Sequence, residues 1–255
     1  MTAWPFVRAF EHHEALASTS DHARARAFED GTVLPLLVRA DRQTRGRGRG
    51  LNSWWSDSGS LTFTLVLDPA AHRLRPEHEP RLALACAVAV IDAIAHEFRI
   101  GATGIRWPND VEAGGRKLGG LLPERVETPF GSRLLIGIGL NVLTRAESAP
   151  VKVRRMAVSL IDLAPVPLPA GSPDRLLFAF LERIEPVLNR LAEDDPVLSG
   201  RWNELDLLRD QWVRVGQGPR IVEGVGRGID PEGALLLGNG RAMSRIVGGQ
   251  VLRDL

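Results

Sequence analysis

Apolar positions along this 255-residue chain recur in two rhythms, and the rhythm changes near residue 208. Val33–Val38 is a continuous apolar run and predicts a buried strand, while Leu61–Leu67 alternates like a second one. Pro80–Phe98 is rich in alanine with apolar residues on more than one face, which predicts a largely buried helix. Ile105–Trp107, Leu118–Leu122 and Leu134–Ile138 read as further short strands. Ser172–Leu191 opens with Ser-Pro-Asp and carries Leu and Phe at helical spacing, an amphipathic helix; Val197–Leu208 reads as a shorter one. Near the start, Ser18-Thr-Ser-Asp21 precedes the Ala- and Arg-rich stretch His22–Glu29, which stops before Gly31, as a short capped helix should.

After Leu208 the segments shorten. Gln211–Val215, Ile221–Val225, Ala234–Leu237 and Met243–Val247 are β-type pieces parted by Gly, Asp and Pro, with a strong turn signal at Gly228–Gly233. This texture suits a small antiparallel barrel. The expected fold class is therefore α+β: a mixed β-sheet packed with helices over residues 1–208, then a C-terminal antiparallel β-barrel over 209–255. No flexible linker marks the boundary, so the two units are expected to pack together.

Composition mostly excludes. The chain is 44% hydrophobic and 25% charged, ordinary values for a globular protein, and its net charge of +1 offers no global field for nucleic acid. The single cysteine, Cys86, lies in the apolar run Leu82–Ile91 and reads as a small buried hydrophobe. One cysteine permits neither a disulfide framework nor a cysteine zinc site, and no residue is assigned as a metal ligand. The N-terminus lacks a basic-then-apolar signal, and no apolar stretch reaches membrane-spanning length. The expected compartment is the cytoplasm, without membrane partners.

Three segments carry chemistry. Arg106-Trp-Pro-Asn-Asp110 is followed by Arg116-Lys-Leu-Gly-Gly120, so a Trp-Pro turn fixes Asn109 and Asp110 at a strand end while Lys117 opens the return strand. Lys117 is one of two lysines beside thirty arginines, a compact point charge where a planar fork is the rule. Gly46-Arg-Gly-Arg-Gly50 lets backbone N–H groups approach an anion while Arg47 and Arg49 add permanent charge. It does not match the Walker pattern, which needs Gly-Lys-Ser/Thr, nor a dinucleotide fingerprint, since no helix pattern follows it. Gly137-Ile-Gly-Leu-Asn141 ends an apolar strand with small residues, which leave room for a flat ring, and an amide with a donor and an acceptor.

Taken in order, these segments resemble the biotin protein ligase family. The resemblance begins at Ser18-Thr19-Ser20-Asp21 and runs through Gln43-Thr-Arg-Gly46-Arg47-Gly48-Arg49 to Trp54 and Ser56. It continues through Arg106–Asp110, Arg116–Gly120, Gly137–Asn141 and the C-terminal unit, most of the chain. The resemblance implies an enzyme that joins biotin to ATP, forms biotinyl-5′-adenylate, and passes biotin to a lysine of a biotin carboxyl carrier protein. It implies Lys117, Arg47, Arg49 and Asp110 as catalytic residues. It implies Ser18, Thr19, Ser20 and Gln43 around the biotin ureido ring, and Asn141 near adenine. Gly46, Gly48, Trp54, Asn109 and Gly119 complete the implied binding residues. Mg²⁺ is expected on the ATP phosphates.

The chain departs from the family pattern in places. Ser20 stands where members commonly have Asn, Arg106 where many have Lys, and Leu51-Asn52 where bacterial members often carry a second Gly-Arg pair. Seventeen residues precede Ser18, too few for the helix-turn-helix domain of some members, so DNA binding is not expected. The oligomer is expected to be a monomer or a homodimer. Two alternatives stand beside this reading. A lipoate ligase or octanoyl transferase shares the fold family but lacks the Trp-Pro-Asn-Asp to Lys arrangement. A non-catalytic biotin- or carrier-binding protein would not need every charged group for adenylation, yet all are present.

Overall fold

Strand alternation decides which face of the main sheet is dry and which is left for chemistry. The computed structural model describes residues 4–253 apart from 146 and 148. It opens with β1 (Ala9–Leu16), then α1 (Thr19–Ala27), β2 (Leu36–Gln43), a small hairpin of β3 (Gly46–Arg47) and β4 (Ser53–Trp54), and β5 (Ser60–Leu67). After a 3-10 turn come α2 (Glu79–Phe98), the meander β6 (Thr103–Arg106), β7 (Asp110–Ala113) and β8 (Arg116–Thr128), and then β9 (Gly131–Asn141). Helices α3 (Val151–Met156), α4 (Leu160–Leu163), α5 (Ser172–Ala192) and α6 (Pro196–Glu204) lead to the C-terminal strands. Those are β10 (Trp212–Gln217), β11 (Arg220–Ile229), β12 (Leu235–Asn239), β13 (Ala242–Ile246) and β14 (Gln250–Val251).

The main sheet has the order β1-β2-β5-β9-β8-β7-β6, parallel between β1 and β2 and antiparallel elsewhere. Its residues sort by parity. Leu61, Phe63, Leu65 and Leu67 of β5, with Leu134, Ile136, Ile138 and Leu140 of β9, face α2 and α5 in one large core. Phe63 meets Phe180 of α5 with ring centroids 5.4 Å apart. Each such buried aromatic contributes roughly 1.5–3 kcal/mol. On the other face, Ala23 and Ala27 of α1 pack on Leu36, Val38, Val66, Val126 and Leu135 in a smaller cluster.

Several elements differ from the sequence reading. Helix α1 begins at Thr19, not His22, because the Ser18 hydroxyl accepts a hydrogen bond from the Asp21 N–H (3.4 Å) and draws Thr19 and Ser20 into the first turn. The strand expected over Val33–Val38 starts at Leu36 and runs on to Gln43. Pro35 has no N–H for the ladder, and Val33 is exposed. Strand β1 escapes the apolar pattern because it alternates Glu and His on one side with Phe and His on the other. The single hairpin expected after Trp107-Pro108 is a meander: β7 intervenes, and Gly114-Gly115 turns the chain into β8.

The C-terminal strands are antiparallel in the order β13-β12-β11-β10-β14. Among the described residues they form an open sheet, not a closed barrel, since β13 and β14 stay at its two edges. Val213, Val215, Ile229, Leu235, Leu237 and Ile246 join the same core as α2 and α5. The sheet is also tied polar-wise: Trp107 Nε1 donates to Gly233 O (2.9 Å), and buried Glu112 pairs with Arg253.

Candidate active site

On the α1 face of the main sheet, three glycines remove the side chains that parity would place there. Gly120 of β8 is the register partner of Gly139 of β9, and Gly137 lies two residues further along the same face. A Cβ on Gly139 would come 2.5 Å from the Trp54 ring, one on Gly137 would come 2.7 Å from Ser20 Oγ, and one on Gly120 would come 3.2 Å from Lys117 Nζ. These glycines are therefore the floor of a slot that Trp54, Ser20 and Lys117 fill in this structure by packing directly on the strands.

One wall is the first turn of α1. Ser18, Thr19 and Ser20 are all buried, and Thr64 projects from β5 beneath them. Thr64 Oγ1 donates to Thr19 Oγ1 (3.0 Å), and the Ser20 and Thr64 hydroxyls are 3.3 Å apart. Gln43, at the end of β2, accepts from Thr19 N (2.7 Å) and Thr19 Oγ1 (3.2 Å) through Oε1. A cluster of hydroxyls and one amide is thus held rigidly at a helix N-terminus, where partial positive charge also gathers.

The opposite wall is charged. Lys117 Nζ donates to Asp110 Oδ1 at 2.7 Å and lies 5.8 Å from the centroid of Trp54. The meander creates this pair: Asp110 opens β7, and a register irregularity between Val111 and Glu112 brings Gly120 opposite Asp110. The Trp54 indole N–H is buried and has no hydrogen-bond partner among the described residues. A buried donor without an acceptor is costly, and Trp54 gives up no hydrogen bond of its indole N–H if the ring moves off the strand.

The Gly/Arg segment closes the slot. It is not wholly a loop, since Gly46 and Arg47 pair with Trp54 and Ser53. Gly46 is required there because a Cβ would meet Trp54 O at 2.5 Å, while one on Gly48 would make a tight contact with Asn52 O at 3.2 Å. Arg47 reaches across to Glu124 of β8, with a further contact to Asp21 (3.2 Å). Arg49 is exposed, and its side chain has no ion pair among the described residues.

The remaining sequence candidates divide. Asn109 donates its amide to Leu121 O (2.7 Å) and accepts Leu121 N at its own carbonyl (2.9 Å), so it braces the turn that presents Asp110. Gly119 faces Leu140 in the core; its neighbour Gly120 is the one at the slot. Asn141 donates to Val158 O (3.1 Å) and Lys117 O (3.3 Å), so its donors are committed and its Oδ1 is the group left for a ligand. It borders a mostly apolar recess with Trp55, Thr144, Ala149 and Val158. Sequence reasoning missed Thr64, Gly120 and Glu124. Strand parity was the available signal: Gly120 and Glu124 share a face of β8, as Thr64 shares one with Thr62 on β5.

Residues 14–141 match the biotin/lipoate A/B protein ligase family. The chain is 31% identical to a biotin–[acetyl-CoA-carboxylase] ligase of Mycobacterium tuberculosis, over 92% of this chain and 85% of that one. It is 30% identical to the bifunctional ligase/repressor BirA of Bacillus subtilis, over 94% of this chain and 72% of the other. The fold is similar to that of the Aquifex aeolicus biotin protein ligase in complex with biotin and ATP. That likeness has a TM-score of 0.79 at 24% identity and covers 96% of this chain and 98% of the other.

Proposed function

This chain belongs to the biotin/lipoate A/B protein ligase family, and from that membership and the slot we propose how it works as an ATP-dependent biotin protein ligase. The observation that carries the residue assignment is the glycine-floored slot, with buried hydroxyls at one end and the Lys117–Asp110 pair at the other.

Biotin's ureido ring lies against Thr19, Ser20 and Gln43, whose Oε1 is already engaged and whose NH₂ remains to donate. Ser18 serves that end indirectly, as the cap of α1. Trp54 rests on Gly139 in this structure, so the acyl chain runs along Gly137 and Gly139 toward Lys117 once the ring lifts from the strand to cover it. The biotin carboxylate attacks the α-phosphorus of ATP; a P–O bond forms and pyrophosphate leaves. Two anions must meet, so Lys117 bridges carboxylate and phosphate oxygens as a point charge while Arg47 and Arg49 neutralise the phosphates. Adenine lies beside Asn141, whose Oδ1 accepts from the exocyclic amine, and the shallow recess there must widen to take it. In the second step the ε-amine of a carrier lysine attacks the acyl carbon and AMP leaves. Asp110 orients that amine, and the β3–β4 hairpin shields the adenylate from water.

Mg²⁺ fits this site as a companion of the phosphates, with Asp110 the carboxylate beside Lys117 that would help hold it. When bound it adds charge neutralisation on the leaving pyrophosphate. The partner is a biotin carboxyl carrier domain of a carboxylase, and a cytoplasmic site of action follows from that partner and from ATP. Among the described residues no helix is long and apolar enough to cross a membrane.

Biotin-dependent exchange of labelled pyrophosphate into ATP tests the first half-reaction. Transfer of biotin to a purified carrier domain tests the second. Exchange driven by lipoate or octanoate and not by biotin would move the protein to the other branch of its family.

A further inference from the structure

Outside the slot, two elements bring three metal-binding side chains together. Glu11 and His13 are two residues apart on β1 and so share the face that α1 approaches. His22 and Arg26 are four apart on α1 and face them. His22 Nε2 is 2.8 Å from Glu11 Oε2, His13 Nε2 is 3.7 Å from the same oxygen, and the two imidazole rings lie 4.6 Å apart. One donor atom from each of the three residues falls within 4.8 Å of the others, the one such group among the described residues.

We propose that Glu11, His13 and His22 form a binding site for Zn²⁺ or a similar divalent transition metal, pinning the edge strand β1 to helix α1. Tetrahedral zinc with bonds of about 2.0–2.2 Å sets its donors roughly 3.3–3.6 Å apart, between the two separations observed. The donor set, two imidazoles and one carboxylate, is one that zinc takes together with water as a fourth ligand.

The second observation is an unanswered lone pair. His13 Nε2 is buried yet makes no hydrogen bond among the described residues, and 3.7 Å to Glu11 is too long for one. A metal ion would satisfy it. Arg26 Nε donates to the other carboxylate oxygen, Glu11 Oε1, at 2.7 Å. This leaves Oε2 to bind in monodentate fashion and orients it, as outer-shell donors do around metal sites. The positive charge of Arg26 works against a cation, but its bond to Oε1 keeps it on the far side of the carboxylate. The site is separate from Lys117 and Asp110, so it does not depend on the ligase reading. Its structural reach is toward the slot all the same, because α1 also carries Ser18, Thr19 and Ser20.

The test uses the full chain, stripped with a chelator and titrated with ZnCl₂ by calorimetry and with CoCl₂ by visible absorption. One Zn²⁺ should bind per chain, and Co²⁺ should give the intense d–d bands of a four- or five-coordinate site. At a Zn²⁺ concentration about a hundredfold above Kd, Tm should rise by roughly 5–10 °C, and EDTA should reverse the rise. His13→Asn and His22→Gln should each weaken Zn²⁺ binding at least about tenfold, whereas His12→Asn, on the other face of β1, should leave it unchanged. Far-ultraviolet circular dichroism of each metal-free variant confirms that it is folded. Absence of saturable binding below about 0.1 mM Zn²⁺ would overturn the proposal. So would binding that survives either His13→Asn or His22→Gln at full strength.

Discussion

Both carboxylate oxygens of Glu124 hold the guanidinium of Arg47, at 2.7 and 3.1 Å, and so fasten the β3–β4 hairpin to β8 across the mouth of the slot. The hydrogen bonds that Arg47 donates to Glu124 are the chief reason that its guanidinium is held even further into its protonated range than usual. Residues 45–50 are all Gly or Arg and carry no apolar side chain to anchor the segment; Glu124 and the Trp54 ring supply two anchors. Arg47 must exchange Glu124 for phosphate or carboxylate when substrates arrive. Glu124→Ala is therefore expected to speed amide exchange over residues 45–50 about fivefold in the free protein, equivalent to about 1 kcal/mol for a partly exposed pair. Biotin with a non-hydrolysable ATP analogue should restore protection. Unchanged exchange in the variant would assign the docking to Trp54 alone.

Lys117 sits over Gly120 with Asp110 as its partner. Lys117→Ala is expected to slow adenylate formation about a hundredfold or more in single-turnover experiments. Lys117→Arg should not restore it fully, because a planar fork cannot occupy the same point. Normal adenylate formation in Lys117→Ala would remove this residue from the chemistry.

Gly139→Ala places a methyl group against the Trp54 ring. Overpacking of this kind costs about 1–3 kcal/mol, and the ring has room to give way only by leaving the floor of the slot. The expected result is biotin affinity weakened about tenfold or more, with a changed Trp emission spectrum. Wild-type biotin affinity in this variant would show that the ligand does not run along β9.

Arg49 projects into solvent without an ion pair among the described residues. A residue held in reserve for the adenylate should show its worth only after that intermediate forms. Arg49→Gly is expected to release biotinyl-adenylate about tenfold or more faster and to label bystander proteins. An unaltered dissociation rate would place the retention elsewhere.

Asp206 gives a pH-dependent effect on stability. Burial raises its carboxyl above the ordinary range, partly offset by a hydrogen bond from Leu208 N (3.0 Å). A carboxyl with a raised folded pKa favours the folded state below its unfolded value, and this contribution is lost as pH rises through the folded value. Asp206→Asn should therefore raise Tm at pH 8, with a smaller gain at pH 5. Equal shifts at both pH values would mean that Asp206 does not change its protonation in the fold between pH 5 and pH 8.

The long periodic elements were legible in the sequence because their burial is one-sided or complete: α2, α5, β5 and β9 each carry a signal over many residues. The Trp-Pro-Asn-Asp to Lys spacing also led directly to the Asp110–Lys117 pair. What failed had physical reasons. Strand β1 is an edge strand whose inward face bears Glu11 and His13, so it lacks an apolar rhythm. Strand β7 is four residues long and hides a buried glutamate, Glu112, whose partner Arg253 lies far away in sequence. Gly119 and Gly120 cannot be told apart until the register irregularity fixes which one faces the slot. Glu124 is one of two acids on β8, and its meaning comes from Arg47, which the chain brings to it only through tertiary folding.

The alternation that leaves Gly137 and Gly139 on one side of β9 and Ile136, Ile138 and Leu140 on the other has a consequence for how this protein can change. Endurance and appetite are written on opposite sides of the same ribbon. Substitutions among the leucines and isoleucines alter how firmly the molecule holds together and leave the packing of Trp54 and Ser20 above β9 intact. Substitutions at the glycines, Ser20 or Thr64 reshape that face while the hydrocarbon beneath goes on holding the strand straight. An organism, or an engineer, can therefore refit the mouth for a different acyl group without first rebuilding the body behind it.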